Sequence, residues 1–475
     1  MSDPSLPTVI QRGMGVGVSN WRLARAVSRR GQLGVVSGTA IDSLLVRRLQ
    51  DGDPEGEVRR AMAHFPIAGA VAAVTKKFFV AGGRGEGVPY RMLPMYRAGA
   101  NTAREQVAML GAFVEVWLAK EGHQGRVGIN LLTKVQLPNL AVLYGAMLAG
   151  VDYVLMGAGI PKEIPAVLDA FAAGREGTIR LDVEGGDPDM PVMLSLDPGT
   201  HWGTEAPPLR RPRFIAIVAS NSLATMLARK ASGRVDGFVI EGPTAGGHNA
   251  PPRGPLELTP AGEPRYGERD VVDLGKLREL ERPFWIAGGA GSPEAVRDAL
   301  AAGAAGVQVG TLFAFCDESG LAPGYRQSII DATIDGSVRV FTDPLASPTG
   351  YPFKVVQWGD DPAPSAESRE RVCDLGYLRA AYQRPDGRVG YRCPAEPVSA
   401  YVEKGGRVED TVGRRCLCNA LMADVGHAQV RDGQGTEAPL VTSGDDLTSI
   451  AVFLRGRRHY AASDVVDYLM SGERA

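Results

Sequence analysis

The stretch Asp236-Gly237-Phe238-Val239-Ile240-Glu241-Gly242-Pro243-Thr244-Ala245-Gly246-Gly247-His248-Asn249-Ala250 decides how the chain is organised. Gly237 to Ile240 is a short apolar, β-branched run of the kind that forms a buried parallel strand. Glu241 and Gly242 end the strand, and a glycine-rich loop carries His248 at its far end. Gly246 and Gly247 remove two Cβ atoms just before an imidazole, which lets backbone approach a flat group and leaves the histidine free to face it. Imidazole exchanges a proton near neutral pH, so the stretch reads as strand, cofactor-hugging loop and base. An ordinary polar loop histidine is the alternative, and the rest of the chain bears on the choice.

Outward from this stretch the same unit recurs. Compact apolar runs begin at Val9, Leu33, Arg126, Asp152, Phe214, Gly237, Phe284 and Gly306, and each ends in glycine or a small polar residue. Helical segments alternate with them: Trp21 to Arg30, N-capped by Ser19 or Asn20; the long amphipathic Thr102 to Lys120; Asn139 to Ala149; Pro161 to Ala173 with proline in its first turn; Leu223 to Ala231; Val271 to Leu280; and Pro293 to Ala302. Alternation predicts a parallel sheet, and eight repeats predict an α/β TIM (β/α)8 barrel over residues 1–325. An open doubly wound sheet is the second option, but Gly13-x-Gly15-x-Gly17 lacks the spacing of a dinucleotide fingerprint.

Two insertions interrupt the repeat, at about 50–100 and 177–212. The second carries two short strands, Ile179 to Val183 and Val192 to Leu196. Residues 326–475 leave the alternation and read as an extension packed on the barrel. It has modest helices, proline-rich loops such as Asp360 to Pro364, and a last helix from Ser463 to Met470.

The chain has 475 residues, 44% hydrophobic and 22% charged, with net charge -2, which gives no electrostatic reason to bind nucleic acid or a membrane surface. No apolar run is long enough to span a bilayer, and the N-terminus lacks a basic-then-apolar signal, so a cytoplasmic location is expected. Five cysteines make no disulfide framework. Cys373, Cys393, Cys416 and Cys418 are close in sequence but lack paired Cys-x-x-Cys knuckles, and no metal is expected.

The site belongs at the C-terminal ends of the strands, with a phosphate cradle after the seventh and eighth. Gly288-Gly289 and Gly310-Thr311 stand there. Together with Gln11-x-Gly13-Met14-Gly15, Gly128-Ile129-Asn130-Leu131, Glu241 to His248, Ala287-Gly288-Gly289 and Val307-Gln308-Val309-Gly310-Thr311, the chain resembles the nitronate monooxygenases, formerly called 2-nitropropane dioxygenases. These are FMN-dependent TIM barrels, and the related flavin-dependent enoyl-acyl-carrier-protein reductases share the histidine loop.

The resemblance implies FMN as cofactor and His248 as the catalytic base. Gly13 and Met14 would meet the flavin ring through backbone groups, with Asn130 hydrogen-bonded to it. Gly246 and Gly247 would lie against the cofactor, and Gly288, Gly289, Gly310 and Thr311 at its phosphate. It implies a small nitroalkane or nitronate and O2 as substrates, giving a carbonyl product and nitrite. Two alternatives stand beside it: an NAD(P)H-dependent enoyl-thioester reductase, and a non-catalytic flavin-binding protein. Self-association is left open. Gln308, Lys134 and Gln136 are further candidates near the flavin, and Arg12 departs from the family, which carries a small residue there.

Overall fold

In the computed structural model, residues 6–359, 370–431 and 435–471 are described. The Asp360 to Pro364 loop and the first five residues therefore lie outside them. Eight strands form one parallel sheet: β1 Val9–Gln11, β2 Gly34–Ser37, β3 Val127–Leu132, β4 Tyr153–Gly157, β5 Arg213–Val218, β6 Gly237–Glu241, β7 Phe284–Ala287 and β8 Gly306–Val309. Neighbours follow chain order from β2 round to β8, which pairs with β1. The sheet then closes on itself: Ile10 bridges Leu33 in parallel, with Gln11 N–H donating to the Leu33 carbonyl at 2.9 Å. The expected barrel is thus present, and the open sheet is excluded.

The β-branched and aromatic residues explain the closure. Inward-facing Ile10, Leu33, Val35, Leu155, Ile215, Ile217, Val239 and Trp285 pack as a separate apolar cluster inside the barrel. Trp285 Nε1 donates to the Pro7 carbonyl at 2.8 Å and seals the bottom. The opposite, C-terminal mouth keeps polar inward positions instead, among them Asn130 and Gln308.

Several helices differ from expectation. Thr102–Lys120 is buried on nearly every side from Val107 to Ala119, because the helices Trp21–Arg29, Ile41–Gln50 and Gln136–Leu148 and the insertion helices Glu57–Met62 and Ala68–Phe78 surround it. The expected amphipathic stripe is therefore absent. Pro161 lies before its helix, which runs Ile164–Ala172 with Pro165 in the first turn. The expected Val271 to Leu280 helix is reduced to a 3-10 turn, Glu268–Asp270, and a short helix, Leu274–Arg278, N-capped by Asp273.

The extension contains strands as well as helices. Arg339–Asp343 pairs antiparallel with Phe353–Gln357. Ala380–Gln383 pairs with Val389–Arg392 and also with Val183–Glu184 of the second insertion, where Gly177–Arg180 pairs antiparallel with Met193–Leu196; the expected strand Ile179 to Val183 is thus split between two partners. Although the alternation ends near residue 325, the helix Ala462–Met470 packs between Trp21–Arg29 and Pro293–Ala301, where the ring needs its eighth helix. An ion pair from Arg30 to Asp467 fastens it.

Candidate active site

One cavity at the C-terminal mouth, about 1320 Å3 including its open side, gathers the candidates Gly13, Met14, Asn130, Gly246, Gly247, His248, Gly288, Gly289, Gln308, Gly310 and Thr311, while Lys134 and Gln136 are not in its lining.

The glycines are sterically required. A Cβ on Gly13 would stand 2.5 Å from the Asn130 Cβ, so the loop after β1 comes this close to Asn130 of β3 only with glycine. Gly288 adopts φ +94°, and a Cβ there would meet Thr244 Oγ1 at 2.8 Å. Two alanines on the rim, Ala40 and Ala158, also take left-handed backbone at φ 51° and 53°. Such conformations cost about 1 kcal/mol or more and cluster at functional sites.

His248 reaches the cavity from the loop after β6, and the extension holds it there. Its backbone bridges Phe353, Asn249 N–H donates to the Pro352 carbonyl at 2.9 Å, and Gly247 N–H donates to Thr442 Oγ1 at 2.9 Å. His248 Nε2 lies 2.7 Å from Ser347 Oγ, which in turn meets Thr349 Oγ1 at 2.8 Å. The Phe353 ring stands edge-on, 4.8 Å from the imidazole. Protein encloses the ring except on the cavity side. Burial first, then the charges of Arg12 and Lys134, push its pKa down to about 4. At neutral pH the imidazole is therefore uncharged and weakly basic.

Arg12 turns to Glu241 at the end of β6, with Nη2 3.0 Å from Oε1. Burial pushes the Glu241 carboxyl up, opposed by the Arg12 charge. The guanidinium is thus compensated within the barrel and remains part of the cavity wall. Lys134 Nζ sits 4.8 Å from the Tyr351 ring centre, within cation–π range. Gln136 is committed elsewhere: its amide donates to the Arg180 carbonyl and accepts from Asp182 N–H, both at 2.9 Å, tying down the second insertion.

Two further assignments change in detail. Met14 N–H donates to Ser19 Oγ at 2.8 Å and its carbonyl accepts from Ser19 N–H, so its side chain forms the wall while its amide hydrogen is already used. Thr311 Oγ1 donates to Asp446 Oδ1 and accepts from Gly444 N–H at 3.2 Å. Its single proton is therefore engaged by the extension.

A flavin fits the lining. Asn130 Oδ1, both amide atoms of Gln308 and Ser443 Oγ are buried at the cavity wall without a protein partner, and each such group costs about 1–3 kcal/mol if left unpaired. Amides at 130 and 308 offer both donors and acceptors to the edge of a heteroaromatic ring, and the glycine loops leave flat approaches to its face. Gln308 faces the cavity and not a helix. Sequence reasoning missed Ser347, Thr442, Ser443 and Asp446, which lie in the extension. The small-polar run Thr442-Ser443-Gly444 after apolar Val441 carries the same signature as the βα loops. Among the described residues no disulfide joins the cysteines, and Cys418 lines the cavity. Among the described residues, no helix is long and apolar enough to cross a membrane.

Fold and cavity together define a TIM barrel with a cavity at its C-terminal mouth. Residues 208–345 match the family model for nitronate monooxygenase. A nitronate monooxygenase from Pseudomonas aeruginosa is 31% identical over 152 residues, which cover 30% of this chain and 40% of that relative's length. Among solved structures, FabK from Thermotoga maritima aligns with TM-score 0.47 at 16% identity, covering 98% of this chain and 92% of that one. A nitroalkane oxidase from Streptomyces ansochromogenes aligns with TM-score 0.45 at 15% identity, covering 98% and 95%. The enoyl reductase domain of MlnA from Bacillus amyloliquefaciens aligns with TM-score 0.46 at 13% identity, covering 99% and 96%.

Proposed function

We propose that this chain is an FMN-dependent oxidoreductase that oxidises an alkyl nitronate with O2 to a carbonyl product and nitrite. The family match over residues 208–345 supports this reading. The observation that carries it is electrostatic: the neutral His248 imidazole in the cavity feels the positive charges of Arg12, which is part of the cavity wall, and of Lys134. Such a setting favours an anion at the reacting position.

Bound FMN would supply the electron-accepting chemistry. Asn130 and Gln308 would hold the ring edge, and Gly13, Gly246, Gly247, Gly288 and Gly289 would give it close backbone approach. His248, fixed by Ser347, orients the anionic substrate by hydrogen bonding and accepts a proton where one must leave. The low basicity of His248 makes it a poor base for a neutral nitroalkane. A nitronate has already lost that proton and is the better substrate.

A pH profile tests the assignment of His248. The imidazole stays neutral above its pKa of about 4 and becomes charged only as pH falls through that value. kcat/KM for a nitronate is therefore expected to be flat between pH 6 and 8, with no inflection near the ordinary histidine value of about 6.5. An inflection that vanishes in His248→Gln would show that the imidazole titrates normally.

The apolar wall formed by Leu132, Phe353, Leu378, Leu417 and Leu421 favours a second reading. Here an enoyl thioester would be reduced by NAD(P)H through the flavin, with its hydrocarbon chain along that wall. Anaerobic mixing of FMN-loaded protein with an alkyl nitronate, and separately with NADPH, separates the two. A rapid change in flavin absorbance with nitronate alone supports oxidation. Bleaching by NADPH with no response to nitronate moves the assignment to the reductase. A protein that holds no flavin sinks both and favours the non-catalytic alternative.

A further inference from the structure

The segment 440–446 crosses the mouth and is pinned at almost every residue. Leu440 N–H donates to Asp424 Oδ1 at 2.9 Å, the Val441 carbonyl accepts from Val356 N–H at 2.9 Å, and Thr442 Oγ1 accepts from Gly247 N–H. Gly444 N–H donates to Thr311 Oγ1, Asp445 N–H donates to the Thr244 carbonyl at 3.0 Å, and the Asp445 carboxylate pairs with buried Lys354 at 2.6 Å. Asp446 Oδ1 accepts a hydrogen bond from Thr311 Oγ1. The contact with the histidine loop is tight, since a Cβ on Gly246 would stand 2.7 Å from the Ser443 carbonyl carbon.

One polar group in this segment is uncommitted. Ser443, next in sequence to Gly444, whose N–H meets Thr311 Oγ1, is 4% exposed, its Oγ has no protein partner, and it lines the same cavity as Gly288, Gly289, Gly310 and Thr311. Those are the ends of β7 and β8, where barrels of this class hold phosphate. Thr311 cannot supply a hydroxyl donor there, because its O–H already donates to Asp446. We propose that Ser443 is the hydroxyl that reads the phosphate of the cofactor, so that a segment outside the (β/α) repeat completes the phosphate corner. The inference rests on the FMN reading above.

The test compares FMN with riboflavin, which is the same molecule without the phosphate. Flavin-stripped full-length protein is titrated with each, and binding is followed by quenching of flavin fluorescence. Ser443→Ala is expected to weaken FMN about 10- to 100-fold, the usual worth of a hydrogen bond to a charged group. Riboflavin affinity should be unchanged, which also shows that the variant is folded around its site. Ser443→Thr, which keeps the hydroxyl, should restore most of the FMN affinity. An equal loss for both flavins would overturn the proposal by placing Ser443 at the ring or ribityl chain, and unchanged FMN binding would overturn it outright. Wild-type protein that binds neither flavin would instead bring down the FMN reading on which it rests.

Discussion

Replacing His248 with alanine is expected to lower kcat/KM for an alkyl nitronate by about 10²–10³-fold, the typical cost of losing one preorganised hydrogen-bonding group. FMN should stay bound. The reason lies in how the imidazole is held. Ser347 at 2.7 Å and the edge of Phe353 at 4.8 Å fix the ring before substrate arrives, so little reorganisation is needed at the moment of reaction. The flavin contacts proposed for Asn130, Gln308 and the glycine loops do not involve the imidazole, so cofactor content should separate from turnover. Steady-state kinetics with flavin content measured on the same sample decide the matter. Full activity in His248→Ala would remove the residue from the mechanism, and loss of flavin together with activity would make it a structural support.

The second large effect concerns stability. Arg104→Met is expected to destabilise the fold by about 3–5 kcal/mol, the cost of removing one partner of a buried ion pair. Arg104 and Asp42 are both almost fully buried and form such a pair, with the guanidinium 3.7 Å over the Tyr96 ring. The Asp42 carboxylate also accepts from Tyr96 at 2.7 Å and from Tyr377 at 2.5 Å. This knot joins the first insertion, through Tyr96, to the extension, through Tyr377, which itself lines the cavity. Methionine keeps most of the volume but leaves Asp42 buried without its cation.

The pH dependence supplies an independent check. Burial alone would raise the Asp42 carboxyl, but Arg104 and the two tyrosine hydroxyls outweigh it and hold it below its ordinary value. A depressed folded pKa stabilises above the unfolded value of about 3.9 and loses that contribution as pH falls through the folded value. In Arg104→Met the desolvation is left unopposed by a cation, and a protonated Asp42 no longer needs one. The gap between variant and wild type should therefore be widest at pH 7 and narrow as pH approaches 4. Urea midpoints measured at both pH values test this, and a gap independent of pH would assign the cost to packing.

Much of the barrel was legible because its strands are short apolar runs ended by glycine, a local pattern that closure does not alter. The candidate residues at strand ends were legible for the same reason: in this architecture the end of a parallel strand is a place in the site as well as a place in the chain. What escaped depends on distant packing. Ser347, Ser443 and Asp446 reach the mouth only because the hairpin Arg339–Asp343 and Phe353–Gln357 lies against the Gly246-Gly247-His248 loop. The amphipathic reading of Thr102–Lys120 failed because periodicity marks one buried face, while the first insertion buries the other. Ala68–Phe78 was missed because it has no side-chain cap and follows Pro66 and Ile67 without a start signal.

The position of Ala462–Met470 in the ring bears on how the protein is made. β8 leaves the ribosome long before the helix that must cover the seam between Trp21–Arg29 and Pro293–Ala301. Throughout that interval the growing chain presents a nearly finished barrel with an apolar slot along one side, and the segment that fills it is still being translated. Contacts between such distant parts of the sequence form slowly, and surface exposed meanwhile invites aggregation. Ribosome-bound chains stalled before residue 460 should accordingly recruit chaperones far more strongly than chains released after residue 470.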